Sequence, residues 1–303
     1  MSPEQRRKII DQAQADHRMS QRRACSGLGF CRSSHRYQSI ESDKPLVSAL
    51  HEVADERPRF GYRRLAVLLK RKGFNVNLKK IYRIYKQENL KIRRAKSTKR
   101  ALNERIMRPC AIKQHDVWSL DFMSDALFNG RRFRLLAVID QYSRECLGIV
   151  VDTSLCGQRV VRILNELVQK HGNPKMILSD NGTEFTSKAI VSWAEQKNIN
   201  WHYITPGKPT ENGFTESLNG KIRDECLNQH WFISLEEAKN IIEQWRIDYN
   251  SIRPHSSLGY LTPQEFIRLS QQDCRARQTL DGRVAPVLLR NADHATYQPT
   301  NPA

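Results

Sequence analysis

Between residues 117 and 204 the apolar side chains fall into five short runs, and the way those runs are joined leaves few folds open. Residues 117–123, 133–139 and 146–151 are strand-like. The first two are linked through Asn129 and Gly130, a pair that favours the positive-φ turns of β-hairpins. The next two runs, 175–178 and 201–204, are separated from what precedes them by helical stripes at 158–169 and 187–196. A further helix is expected from about 211 to 227. Three hairpin strands followed by strand–helix alternation predict an α/β unit with a mixed five-stranded sheet and flanking helices.

The chain ahead of this unit has a different period. Residues 1–42 form a basic helical head. Ser20 is placed to cap a helix over 21–28, Gly27 and Gly29 to end it, and Ser33 to cap a second helix carrying His35, Arg36 and Tyr37. Two short helices across a Gly turn fit either a helix-turn-helix or a plain hairpin. In residues 43–90 the apolar positions Leu46, Leu50 and Val53, then Leu65, Leu68 and Leu69, then Ile81, Ile84 and Tyr85 mark three helices. The last of these presents Lys79, Lys80, Arg83 and Lys86, the kind of face a recognition helix turns to DNA. Residues 91–108 carry eight Lys or Arg, Arg93 and Arg94 among them, against Glu104 alone, and read as an arm that follows phosphates. Residues 109–271 hold the α/β unit. The polar stretch 272–303 is expected to be poorly ordered.

Charge narrows the partner. Fifty Lys and Arg against 32 Asp and Glu give +18 over 303 residues. Such a field draws polyanions, and basic surfaces bind nucleic acid through counterion release. No apolar run approaches the roughly 18 residues of a membrane span. The start, MSPEQRRKII, lacks the apolar core of a signal peptide. A cytoplasmic, nucleoid-associated protein is expected. The seven Cys show no CxxC pair and no zinc-ligand spacing, so they are read as reduced structural thiols.

Three carboxylates stand out. Asp121 interrupts the strand WSLDFM on the face shared with Ser119 and Met123, opposite Trp118, Leu120 and Phe122. A mid-strand carboxylate is costly unless paired or metal-bound. Asp180 ends the strand MILSD, where sites in such sheets gather. Glu216 shares a helical face with Asn212, Asn219 and Arg223, while Phe214, Leu218, Ile222 and Cys226 form the opposing apolar face. Asp140 is read as structural, satisfied by Ser143 or Arg144. His202 and His255 are read as packing or DNA-contact residues.

Thirty-five residues separate Asp180 from Glu216, and Arg223 follows Glu216 by seven. With WSLDF, IDQYSR, LSDNGTEF, TPGKPTENGFTESLNGKIRDECL and YNSIRPHSSLGYLTPQEF, residues 43–270 resemble the second-frame transposases of the insertion-sequence family whose founder is number three. Those proteins share the acidic triad of retroviral integrases. The resemblance implies a ribonuclease-H-like core preceded by an all-α helix-turn-helix region, and a polynucleotidyl transferase in which Asp121, Asp180 and Glu216 hold two Mg²⁺ or Mn²⁺ ions with Asp121 shared. Hard oxygen ligands suit those ions. It also implies double-stranded DNA (element ends and target) as substrate, a homo-multimer on DNA, and an upstream-frame product as a further partner. Asn212, Asn219 and Arg223 are expected to touch DNA or to orient Glu216. A silent DNA-binding protein, or a nuclease that cuts without joining, is the alternative.

Overall fold

The computed structural model describes residues 1–36, 43–92, 111–205 and 209–280, apart from the side chains of 209–210 and 273–280. Arg93, Arg94, Tyr37, residues 206–208 of the loop before Glu216, and 281–303 of the polar tail lie outside the described residues. The chain forms two compact units, Met1–Arg93 and Arg94–Ala303.

The first unit is all helical. α1 (Pro3–His17) opens with a reciprocal cap in which Ser2 Oγ accepts the Gln5 N–H at 3.2 Å and Gln5 Oε1 accepts the Ser2 N–H at 2.9 Å. α2 (Gln21–Gly27) is capped by Ser20, as the sequence predicts. Gly29 then turns the chain at φ +57°. α3 (Arg32–Arg36) starts before Ser33, so the expected Ser33 cap is corrected: Ser33 lies inside the helix, and the Cys31 carbonyl accepts the His35 N–H at 3.0 Å. α4 (Lys44–Glu56), α5 (Tyr62–Arg71) and α6 (Leu78–Gln87) close over Leu46, Leu50, Val53, Leu65, Leu69, Ile81, Ile84 and Tyr85. Leu68 is only partly buried there. Asn77 caps α6 by accepting the Lys79 N–H at 2.9 Å.

The second unit holds the sheet. β1 (Val117–Ala126), β2 (Arg132–Asp140), β3 (Cys146–Asp152), β4 (Met176–Ser179) and β5 (Asn200–Tyr203) lie in the order β3-β2-β1-β4-β5. β1, β2 and β3 pair antiparallel, and β4 and β5 join parallel to β1 and to each other. α7 (Gly157–His171) and α8 (Lys188–Lys197) cover one face, burying Trp118, Leu120, Leu136 and Val138. α9 (Gly213–Glu225) and α10 (Leu235–Ser251) cover the other, over Phe133, Leu135, Ala137 and Ile139. β2 is therefore apolar on both faces, which explains its unbroken run LLAVI.

α10 and α11 (Pro263–Leu280) extend the predicted order. The signal for α10 was present: Ser234 accepts the Glu237 N–H at 3.1 Å, a Ser-x-x-Glu start, and Ala238, Ile242, Trp245 and Tyr249 recur at helical spacing on the buried face. Its end is fastened twice. Asn250 accepts the Cys146 N–H and donates to the Cys146 carbonyl, both at 2.9 Å, and so satisfies a peptide of the edge strand β3. Arg253, 2 % exposed, grips both oxygens of Glu225 at the end of α9 at 2.7 and 2.6 Å.

Candidate active site

Asp121 sits on central strand β1, half-buried, on the α9 side of the sheet. Its Oδ1 accepts the Phe122 N–H at 2.8 Å, and its Oδ2 accepts the Asn219 amide at 2.7 Å. Asp180 directly follows β4. Asp121 and Asp180 each lie two residues beyond the last β1–β4 pair, Ser119 with Leu178, so Asp180 comes off the end of β4 level with Asp121, which stays within β1. Glu216 is exposed in the first turn of α9, which packs on β1 and β2.

The electrostatics follow from this placement. Burial first, and then the charges of Asp180 and Glu216, push the Asp121 carboxyl up to about 6 against the pull of its two hydrogen bonds. Among the described residues, no three His, Cys, Asp or Glu are drawn into a set that could hold an ion as they stand. The arrangement is instead a carboxylate under the charge of two others, with the buried Asn219 Oδ1 beside it lacking a hydrogen-bond partner. A cation between these oxygens would relieve both the repulsion and the orphaned carbonyl.

The sign of the pH effect is fixed by the raised value. The folded chain holds the Asp121 proton more tightly than the unfolded chain does. This residue's contribution to stability is therefore present at low pH and is lost as pH rises from about 4 to about 6. In chelator-treated protein, Asp121→Asn is expected to be more stable than wild type at pH 8, by up to about 3 kcal/mol. The two should converge near pH 4. Urea titrations at both pH values measure the difference, and parallel curves would refute it.

The neighbours divide by role. Asn219 serves Asp121 rather than Glu216. Asn212, expected to touch DNA or to orient Glu216, is 3 % exposed, donates to the Leu120 carbonyl at 3.1 Å and accepts from Thr215, so it fastens the start of α9, the helix of Glu216, to β1. It turns inward because residues 209–212 form a separate 3-10 turn and the helix proper begins only at Gly213. Arg223 donates to the Ser124 carbonyl at 2.8 Å and lies 3.7 Å from Asp125, with its side chain 43 % exposed. Asp140 is fully buried and takes the Ser143 N–H and hydroxyl at 2.8 and 2.6 Å, and also the His115 N–H at 3.0 Å. His255 is buried against Tyr249, and His202 is exposed.

Some contributors escaped the sequence reading. Gly182 donates its N–H to Asp180 Oδ1 at 3.2 Å, and a Cβ there would come within 3.2 Å of that oxygen. Asn181 donates to the Ile204 carbonyl at 2.7 Å, tying the Asp180 turn to the end of β5. Arg134 pairs with Glu184 in the same turn and lies over Phe122. The Asn-Gly pair after Asp180 was the only visible sign of this bracing.

In the helical unit, Asp43 binds both Lys80 and Arg83, the latter at 3.0 Å, and pins α6 to the start of α4. Lys79 and Lys86 are exposed on α6. The described thiols Cys25, Cys31, Cys146, Cys156 and Cys226 are free. Burial pushes Cys146 and Cys226 up to about 12.

Comparison with known proteins agrees with this layout. Residues 112–209 and 197–263 each match a model described as integrase core domain, and residues 41–98 match an HTH-like domain. The insertion element IS476 uncharacterized 39.2 kDa protein of Xanthomonas euvesicatoria is 42 % identical over 88 % of this chain and 78 % of its own length. The insertion element IS407 uncharacterized 31.7 kDa protein of Burkholderia multivorans is 44 % identical over 82 % and 90 %. Transposase InsD for insertion element IS2 of Escherichia coli is 29 % identical over 75 % and 79 %. The chain belongs to the insertion-sequence transposases with an integrase-type core. This transposase thus has a ribonuclease-H-like mixed sheet and is of the polynucleotidyl transferase type that carries an acidic triad. The catalytic core domain of bovine immunodeficiency virus integrase aligns with the transposase over 53 % of this chain and 99 % of its own at 19 % identity and a TM-score of 0.42. No described helix of the transposase is long and apolar enough to cross a membrane.

Proposed function

We propose that this transposase cuts DNA at the ends of an insertion sequence and joins them to a target, with Asp121, Asp180 and Glu216 as its catalytic acids. The observation that carries the reading is the placement of Asp121 in mid-strand on the α9 side of the sheet, level with Asp180 at the end of β4 and hydrogen-bonded to Asn219 on the helix of Glu216. Asp121, Asp180 and Glu216 would hold the divalent ions, two Mg²⁺ or Mn²⁺, for which their hard carboxylate oxygens are suited. When bound, such ions neutralise charge on the attacking and leaving oxygens and ease deprotonation of the nucleophile.

The chain's own residues supply the framework. Phe122 and Asn219 fix the two oxygens of Asp121, and Gly182 and Asn181 fix the Asp180 turn. Glu216 reaches in from a helix clamped at both ends, by Asn212 and by Arg253. Cleavage is attack of water on the end phosphodiester, which frees a 3′-hydroxyl. Joining is attack of that hydroxyl on a target phosphodiester, forming one P–O bond as another breaks. Arg223, Lys79 and Arg83 are assigned to DNA phosphates, and more than one protomer is expected on DNA because two ends must be held together.

The test is plasmid DNA carrying the sequences that flank the gene, scored for nicking and joining with Mg²⁺ or Mn²⁺. Metal-dependent joined products are expected. Nicks without joining would reduce the protein to a nuclease. No product even with the upstream-frame product present would overturn the reading.

Lys79→Ala offers a second check. It is expected to weaken DNA binding across sequences alike and to lower the salt slope by about one. Fluorescence anisotropy at several salt concentrations reads it, and an unchanged slope would remove Lys79 from the interface.

A further inference from the structure

At the far end of β1 and beyond α9, two loops bring large apolar side chains into solvent. Phe128, at the β1–β2 hairpin, is 75 % exposed, Trp231 81 % and Ile233 74 %. The grouping is built. Phe128 donates its N–H to the Phe232 carbonyl at 2.8 Å, and Phe232 is buried edge-on against Phe133. With Phe232 turned in, Trp231 and Ile233 on either side of it turn out, and Trp231 meets Phe128 edge-to-face at 6.2 Å. Exposed Arg131 and Arg132 stand on the same hairpin. The nearby acids are engaged: Asp125 with Arg223, Glu236 with Lys239, and Glu237 with the Ile233 N–H.

We propose that Phe128 and Trp231 form an aromatic wedge that unstacks a base step of the DNA held at the catalytic acids. This rests on the DNA-joining reading above. Aromatic rings beside arginines stack on bases, and apolar side chains inserted at a step kink a duplex. The wedge lies along the line that the site defines. β1 runs from Asp121 to its end at Ala126, and Arg223, seven residues beyond Glu216, is bonded to Ser124 on the way. At roughly 3.3 Å per strand residue the hairpin lies about 17–23 Å from Asp121. That is about five to seven base pairs of duplex at 3.4 Å each. A second copy of the chain is the less fitting occupant. Three side chains from two loops offer about 400–600 Å², at roughly 150–250 Å² per aromatic ring, short of the roughly 800 Å² per partner of a stable protein interface.

The experiment uses the full chain as Glu216→Gln, which halts chemistry, with element-end DNA carrying 2-aminopurine at successive positions from three to nine base pairs from the cut. A fluorescence rise confined to steps five to seven is expected. Trp231→Ala should remove it and weaken binding about tenfold, and Trp231→Phe should restore most of both. The exposure of Trp231 makes loss of the fold an unsuitable explanation, and circular dichroism checks this. Bound DNA with no rise at any position overturns the wedge alone. Failure of both wild type and Glu216→Gln to bind element-end DNA overturns the joining reading and the wedge with it. A rise that persists in Trp231→Ala while the protein's mass falls to a single protomer overturns the wedge and makes the patch a contact between copies.

Discussion

Glu216→Gln will abolish metal-dependent cutting and joining while leaving DNA binding in place. The substitution keeps the size of the side chain and removes its charge. Glu216 is exposed, so nothing in the fold depends on it. A lost ligand forfeits several kcal/mol of transition-state charge stabilisation, and each 1.36 kcal/mol is tenfold in rate. The fall should be on the order of a thousandfold or more. Asp121→Asn and Asp180→Asn should fall equally far, because residues acting as a unit are not additive. The decisive comparison is products against binding in the same preparation. Equal products from wild type and Glu216→Gln would remove this residue from the chemistry, whereas loss of binding would make it a DNA contact.

The second large effect is on stability. Arg253→Ala is expected to cost about 3–5 kcal/mol, because it removes the buried guanidinium that donates to both oxygens of the nearly buried Glu225 carboxylate. The side chains of that pair are 3 % and 10 % exposed, and the guanidinium makes two parallel bonds. Replacing both, as Arg253→Met with Glu225→Gln, should recover much of the loss, since neither buried charge then remains. Urea denaturation of the single and double variants measures the difference. A single variant within about 1 kcal/mol of wild type would show that the pair contributes no more than a surface bridge does.

Much of the fold was legible because period alone carries it. The hairpin at Asn129 and Gly130, the doubly apolar β2, and the stripes of α4 to α8 follow from spacing and turn chemistry. The places where the reading stopped have local causes. Asn212 falls on an outward polar face only if the helix begins by residue 211; a 3-10 turn over 209–212 re-aims it into the sheet. Ser33 missed its cap by a similar offset. α10 was passed over although its Ser-x-x-Glu start and apolar stripe were visible. The three acids stand out as carboxylates in or beside apolar elements, and it is the resemblance that groups them as a triad; what braces them is recorded by neither. Asn219 against Asp121, Gly182 against Asp180 and Arg253 against Glu225 are contacts between segments distant in sequence or set by backbone geometry, and no period records them.

The clamp from Arg253 to Glu225, with Asn250 on Cys146, has a consequence for synthesis. β1 and β2 emerge from the ribosome more than a hundred residues before the helix end that fastens α9. Until Arg253 follows, α9 lacks its far anchor and the apolar α10 face of the sheet is uncovered. On the proposed function, a nascent chain that already contains Asp121, Asp180 and Glu216 still awaits the contact that fixes the helix of Glu216, and translation stopped short of residue 253 would yield a product expected to be unable to cut.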